Sequence, residues 1–173
     1  MKEQRTASLA EFERMADMLT DLATTEYLSR VELTPKLVVM GVDPAAAAQP
    51  GYRFGLIPVA ELMTRAAGTP GELVVAALIE KLSKDPEVLV VGHIAEAWRA
   101  QYTKEERARP GFQLAPEEAP NREEVLLLNL RSADCMALKT CSLTRDGLRT
   151  KIGTGELLFN ARVHNSRRCR YTH

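Results

Sequence analysis

The segment EVLVVGHIAEAWRA, residues 87–100, begins with an uninterrupted apolar run, VLVV, at residues 88–91. Three of these four residues are β-branched, and the run follows a turn-forming Asp-Pro pair at residues 85–86. A short apolar run entered from a turn is typical of a strand that is covered on both faces, whereas a helix needs a longer periodic pattern. The sequence therefore predicts a buried strand here, and we expect the rest of the chain to pack around it.

The second half of this segment changes character. Side chains alternate between the two faces of a strand, so Ile94, Glu96 and Trp98 share one face and His93 lies on the other. A carboxylate and the only tryptophan of the chain therefore point the same way where the buried run ends. This is a common position for a functional site, and it is equally common where a strand surfaces into water. The sequence leaves both interpretations open.

Composition limits the class of protein. The chain has 173 residues, which favours one domain, and its apolar content of 45% is enough for an ordinary core. Aromatic residues make up 5%, so stacking platforms for single-stranded nucleic acid are not expected. No apolar run approaches the roughly 18 residues of a membrane span, and the N-terminus does not resemble a signal peptide. Three cysteines fit a reducing cytoplasm better than secretion.

Two helices have clear start signals. A capping box that begins at Ser8 precedes an amphipathic pattern over residues 9–24. The second helix is predicted over residues 69–83, with Thr69 as the N-cap and Pro70 in the first helical position. The apolar face of the first helix must pack either on the sheet or on a second copy of the chain.

Further apolar or alternating runs predict additional strands, at residues 37–40, 52–57, 123–131, 135–144, 148–152 and 156–163. The first two are expected to form a hairpin. The chain is therefore predicted to be a single α+β domain over residues 1–173, with a mixed, largely antiparallel sheet of four to six strands and two or three packed helices. A polar loop at 101–119 and a basic tail at 165–173 complete it. The loop is expected to be a lid, a partner-binding arm or a connection without a function of its own.

Metal and cofactor chemistry has little support in the sequence. Cys135 and Cys141 are six residues apart on one predicted strand, roughly 20 Å, so they share neither a zinc ion nor a disulfide and are expected in the core. His164, Cys169 and His173 have usable metal spacing, but no Cys-x-x-Cys or His-Glu-x-x-His pair accompanies them. We predict no metal and no cofactor.

A hydrolase is the first alternative function. Glu96, His93, Arg122 and Glu123, with the adjacent Glu124, could converge beneath the 101–119 loop if strands 87–98 and 123–131 pair. Arg122 would orient a carboxylate, and Glu96 would act as a general base. The competing interpretation is that these residues form surface ion pairs at strand ends, which contribute about 1 kcal/mol or less each.

A nucleic-acid binder is the second alternative. Residues 120–173 carry ten basic and five acidic side chains, and Arg162, Arg167, Arg168 and Arg170 cluster near the C-terminus. Such a cluster grips phosphates, pairs with the acidic part of the chain or remains solvated. These arginines and Trp98 are the candidate binding residues.

The leading prediction is a small cytoplasmic interaction or accessory domain without catalytic activity. It is expected to form a homo-oligomer, most simply a dimer, through the apolar face of residues 9–23 and the edges of an open sheet. A protein partner is compatible with this prediction, whereas nucleic acid and membrane are not expected partners.

Overall fold

The computed structural model describes residues 6–160, apart from residues 44, 46–50, 60–61, 63–67, 69 and 113–114. The described helices are α1 to α3, at Leu9–Tyr27, Gly71–Ser83 and Lys104–Arg107, with a short 3-10 helix at Pro116–Glu118. The strands are β1 to β7, at Lys36–Asp43, Gly51–Pro58, Val88–Arg99, Glu123–Arg131, Met136–Asp146, Arg149–Ile152 and Leu157–Asn160.

The seven strands form one curled sheet in the order β2-β1-β3-β4-β5-β6, and β7 also pairs with β5. The predicted α+β class is confirmed. Every described pairing is antiparallel, so the sheet is not mixed, and it has one strand more than the predicted maximum. Both of the last two strand candidates, 148–152 and 156–163, form strands, β6 and β7, and they pair with successive parts of β5. The predicted hairpin is confirmed as β1 and β2.

β3 is the central strand that the apolar run predicted. It pairs with β1 on one side and with β4 on the other, and Val90, Val91 and Ile94 are completely buried. Strands covered on both faces favour continuous β-branched runs of this kind. The two faces of β3 carry different sites, described below.

Helix α1 packs on the face of the sheet that contains Ile94. The capping box of Ser8 forms as predicted, and Phe12, Met15 and Leu19 become fully buried. Burial of such side chains contributes roughly 1.5–3 kcal/mol each. The helix approaches β3 so closely that a Cβ on Gly92 would lie 2.7 Å from Leu19 Cδ1. The apolar face of α1 is therefore used inside the chain, and the predicted dimer interface on this face is wrong.

Helix α2 packs on the opposite face. Val75 and Ile79 form a second, smaller core with Leu37, Val59 and Val91. The helix begins at Gly71, one residue later than predicted, so Pro70 takes the N-cap position and supplies no side-chain cap. Thr69 lies outside the described residues. A helix thus covers each face of the sheet.

None of the helices in the described part of the chain is both long and apolar enough to cross a bilayer.

Candidate functional site

Glu96, the carboxylate singled out by the sequence, lies near the end of β3 on the same face as α1. Its Oε1 accepts hydrogen bonds from Tyr27 Oη at 2.8 Å and from the backbone N–H of Leu33 at 2.7 Å. Its Oε2 accepts one from Arg145 Nη2, also at 2.8 Å. Both carboxylate oxygens of Glu96 are therefore engaged by the protein itself.

Arg145, on β5, is the centre of this cluster. Its guanidinium binds Glu124 with two hydrogen bonds, from Nε at 2.7 Å and from Nη2 at 2.5 Å. Its Nη1 donates to the carbonyl oxygen of Val31 and to Thr150 Oγ1. The side chains of Arg145, Glu96 and Glu124 are 18–24% exposed, so the ion pairs are largely shielded from water.

The electrostatics of the cluster fit a structural role. The hydrogen bond from Arg145 is the main cause that lowers the pKa of Glu124 below its ordinary value. Burial, followed by the hydrogen bond to Glu96, raises the pKa of Tyr27. Glu124 stays ionised and Tyr27 stays neutral near pH 7. The turn after α1 is fastened to the sheet by Glu96, which accepts from the backbone of Leu33, and by Arg145, which donates to the carbonyl oxygen of Val31. We refer to Tyr27, Glu96, Glu124 and Arg145 as the arginine cluster.

The other residues predicted for a hydrolase site lie elsewhere. Arg122 stacks on the Trp98 ring, with 5.1 Å between its Cζ and the ring centroid, and donates to the carbonyl oxygen of Glu117 at 2.7 Å. Glu123 forms an exposed ion pair with Arg99. Arg145, rather than Arg122, binds Glu96, so the predicted pairing is wrong even though β3 and β4 are neighbours as expected.

The 101–119 loop is folded on itself rather than extended over Glu96. The Tyr102 and Phe112 rings meet edge to face at 4.9 Å, and Tyr102 Oη donates to the carbonyl oxygen of Ala115. Asn121 Nδ2 donates to the carbonyl oxygen of Gln101 at 2.6 Å, which joins the two ends of the loop. The described residues of this loop therefore form a compact structure beside the end of β3.

A groove of about 440 Å³ lies on the other face of the sheet, between α2 and the strands β3, β4 and β5. Its described wall on α2 includes Val75, Ala76 and Ile79, and Ala95 forms part of its floor. This volume and this largely apolar lining are typical of a small-molecule site. We refer to it as the α2 groove.

Three polar side chains, those of His93, Asn129 and Arg131, line the α2 groove. Residues two apart on a strand share a face, which places Asn129 beside Arg131 on β4, and His93 is the direct cross-strand neighbour of Asn129. Within the described part of the chain, none of the three side chains has a hydrogen-bond or ion-pair partner. For Arg131 this includes Nε, which is itself buried.

Burial determines the charge of these groups. It lowers the pKa of His93, so that the imidazole is neutral near pH 7. The guanidinium of Arg131 is always charged. Among the described residues that line the groove, Arg131 is therefore the only one with a formal charge. Buried polar groups normally have hydrogen-bond partners, and all three of these side chains line the groove.

The described residues contain no group of three or more histidine, cysteine or acidic side chains placed to hold a metal ion. Cys135 and Cys141 are both buried, as predicted for core positions. The candidate binding residues Arg162, Arg167, Arg168 and Arg170 lie outside the described residues, as do His164, Cys169 and His173.

Comparison with known proteins does not assign the chain to a family. No protein-family model, curated protein or solved structure matches it.

Sequence reasoning missed Arg145, Asn129 and Arg131. The alternation of β4 contains a signal for two of them, because Asn129 and Arg131 interrupt one face of an otherwise apolar strand. Arg145 has no comparable local signal, since it lies 49 residues from Glu96 and reaches it only through the order of the strands.

Proposed function

We propose that the protein is a non-catalytic binding module, and that its α2 groove holds a small, largely apolar molecule. The observation that carries this proposal is the groove itself, which combines apolar walls with three polar side chains that have no hydrogen-bond partner among the described residues. An interaction or accessory domain, the leading prediction from the sequence, acts by binding of this kind.

The position of the groove supports specific binding. Most of its described lining comes from regular elements, namely α2, β3, β4 and β5, and Pro35 and Val59 add to it from connecting segments. Sites on such elements hold their side chains in a fixed geometry. A ligand that enters the groove would thus meet a largely preformed surface.

The hydrolase alternative has less support. A general base needs a free oxygen directed at the substrate, and both oxygens of Glu96 already accept hydrogen bonds from Tyr27, Leu33 and Arg145. If Glu96 turned toward a substrate, the partly buried Arg145 would lose one of its hydrogen-bond acceptors. The nucleic-acid alternative rests on arginines outside the described residues and stays a prediction.

The homodimer and the cytoplasmic location belong to the same proposal. Strand β2 is an edge strand that pairs with β1 alone among the described strands, and it carries the exposed side chains of Phe54 and Leu56. Unpaired edges of this kind join two copies of a chain by strand addition. The free thiol of Cys141 fits a reducing compartment.

The binding proposal is tested with 1-octanol as a neutral apolar probe and backbone amide NMR as the readout. We expect saturable shifts at His93, Ala95 and Asn129, and a loss of affinity of at least about tenfold in Ala76→Trp, which fills the groove from α2. Ala77→Trp is the matched control, because Ala77 is the next exposed alanine on α2 and does not line the groove. Equal affinity of the two variants, or shifts confined to other residues, would refute the proposal.

A further inference from the structure

We infer that the α2 groove selects an apolar monocarboxylate, whose carboxylate is bound by Arg131 with Asn129 and His93 beside it. This inference rests on the proposed binding function and specifies the chemical class of the ligand. It goes further because it assigns a charge to the ligand and a role to each polar group.

The first step is that the guanidinium of Arg131 has no hydrogen-bond acceptor among the described residues. Its guanidinium has five N–H donors and no acceptor capacity, and its buried Nε has no hydrogen-bond partner among the described residues. Glu80 interacts with Arg131 electrostatically, but the two side chains form neither an ion pair nor a hydrogen bond in the described part of the chain. Arg145 shows the contrast, because it binds two carboxylates and a carbonyl oxygen. A partly buried guanidinium that no described carboxylate contacts directly favours an anion, and its planar fork matches the two oxygens of a carboxylate.

The second step is the neutrality of the neighbouring groups. Asn129 and the neutral His93 each supply an N–H donor and carry no charge, and Gly71, the first residue of α2, lines the same groove. One cation with neutral donors balances a single negative charge. A monoanionic carboxylate therefore fits better than a doubly charged phosphate.

The third step concerns the rest of the ligand. Val75, Ile79 and Met136 provide the apolar part of the lining, and the groove has room for a small hydrocarbon chain or ring attached to the carboxylate. Burial of such a group contributes about 0.8 kcal/mol for each CH₂. The charge on Arg131 and the apolar lining together favour an amphipathic acid, with a carboxylate at one end and a hydrocarbon group at the other.

The inference is tested by calorimetric titration of the full chain with octanoate, 1-octanol and octylammonium, which share one hydrocarbon chain and differ in charge. We expect octanoate to bind at least about tenfold more tightly than 1-octanol, since a hydrogen bond to a charged group discriminates by that order. Octylammonium should bind more weakly than 1-octanol, because it places a second cation beside Arg131.

Two variants assign the selectivity to named groups. Arg131→Gln should remove the preference for octanoate over 1-octanol, whereas Arg149→Gln, an exposed arginine on β6, should leave it unchanged. Asn129→Leu should weaken octanoate and strengthen 1-octanol, which keeps the test decisive if Arg131→Gln does not fold.

The outcomes separate the two proposals. Equal binding of octanoate and 1-octanol in the wild-type chain, both abolished by Ala76→Trp, would overturn the carboxylate inference and leave the binding module intact. Absence of binding by all three probes would overturn both. An octanoate preference that survives Arg131→Gln would also overturn the inference, because the anion would then be recognised elsewhere.

Discussion

At the scale of single residues, Arg145 is the side chain on which the arginine cluster depends. We predict that Arg145→Gln lowers the free energy of unfolding by about 2 kcal/mol at pH 7, less than for a fully buried pair because the three charged side chains keep some exposure. The loss arises because Glu96 and Glu124 would then face each other without a cation. Urea denaturation of both proteins measures it.

The pH dependence of this loss has a defined sign. Arg145 lowers the pKa of folded Glu124, so this stabilisation is present above the pKa of an unfolded glutamate, about 4.3, and is lost as the pH falls through the folded value. The difference between wild type and variant should therefore be largest at pH 7 and shrink below about pH 4. Arg149→Gln is the control, and a difference that stays constant with pH would contradict the assignment.

The strand face of a side chain was predictable from local alternation, whereas its interaction partner depended on the fold. The alternation of β3 placed Glu96 and Trp98 on one face and His93 on the other, and buried Val90 and Val91 confirm the strand. The partner of Glu96 could not be predicted, because no local signal in the sequence favours Arg145 over Arg122. Only the position of β5 beside β4 brings Arg145 within reach.

At the scale of elements, two capping boxes with the same geometry offer a comparison. Ser8 caps α1 and Thr103 caps α3, each paired with a glutamate three residues later. We predict that Ser8→Ala lowers the free energy of unfolding by about 1 kcal/mol, because α1 carries a large part of the core. Thr103→Ala should change it far less, because α3 buries no residue.

Thermal and urea denaturation of the two capping variants provide the measurement. Equal losses would contradict the prediction, because they would mean that α3 unfolds together with the core. The expected difference follows from local stability, since a short exposed helix opens without the rest of the molecule.

Helices and strands were predicted best where the apolar pattern agreed with a capping or turn signal at its ends. α1 begins at the predicted residue and ends three residues later than expected, and the β1-β2 hairpin lies where turn and apolar signals met. The separate strands β6 and β7 were weaker predictions. Between them the chain passes so close to β5 that a Cβ on Gly155 would lie 2.4 Å from the carbonyl oxygen of Thr140, a contact that no local propensity encodes.

At the scale of the whole molecule, the outer edge of β2, which no other described strand pairs with, predicts how two copies meet. The apolar face of α1 is buried in the chain's own core. The edge of β2 and the exposed side chains of Phe54 and Leu56 are therefore the candidate surface for association. Two β2 strands that pair antiparallel about a twofold axis would extend the sheet across both copies. We therefore predict a mass twice the chain mass of 19.2 kDa by light scattering coupled to size exclusion.

Matched lysine substitutions test this interface. Leu56→Lys places a charge on the edge strand and should give the mass of a single chain, because charged edges resist pairing. Leu148→Lys is the control, since Leu148 is also exposed but lies in the turn between β5 and β6, away from the edge. A single-chain mass for the wild type at high concentration would rule out the β2 dimer, and the binding function of the α2 groove would then belong to the monomer, because the groove is lined without any residue of β2.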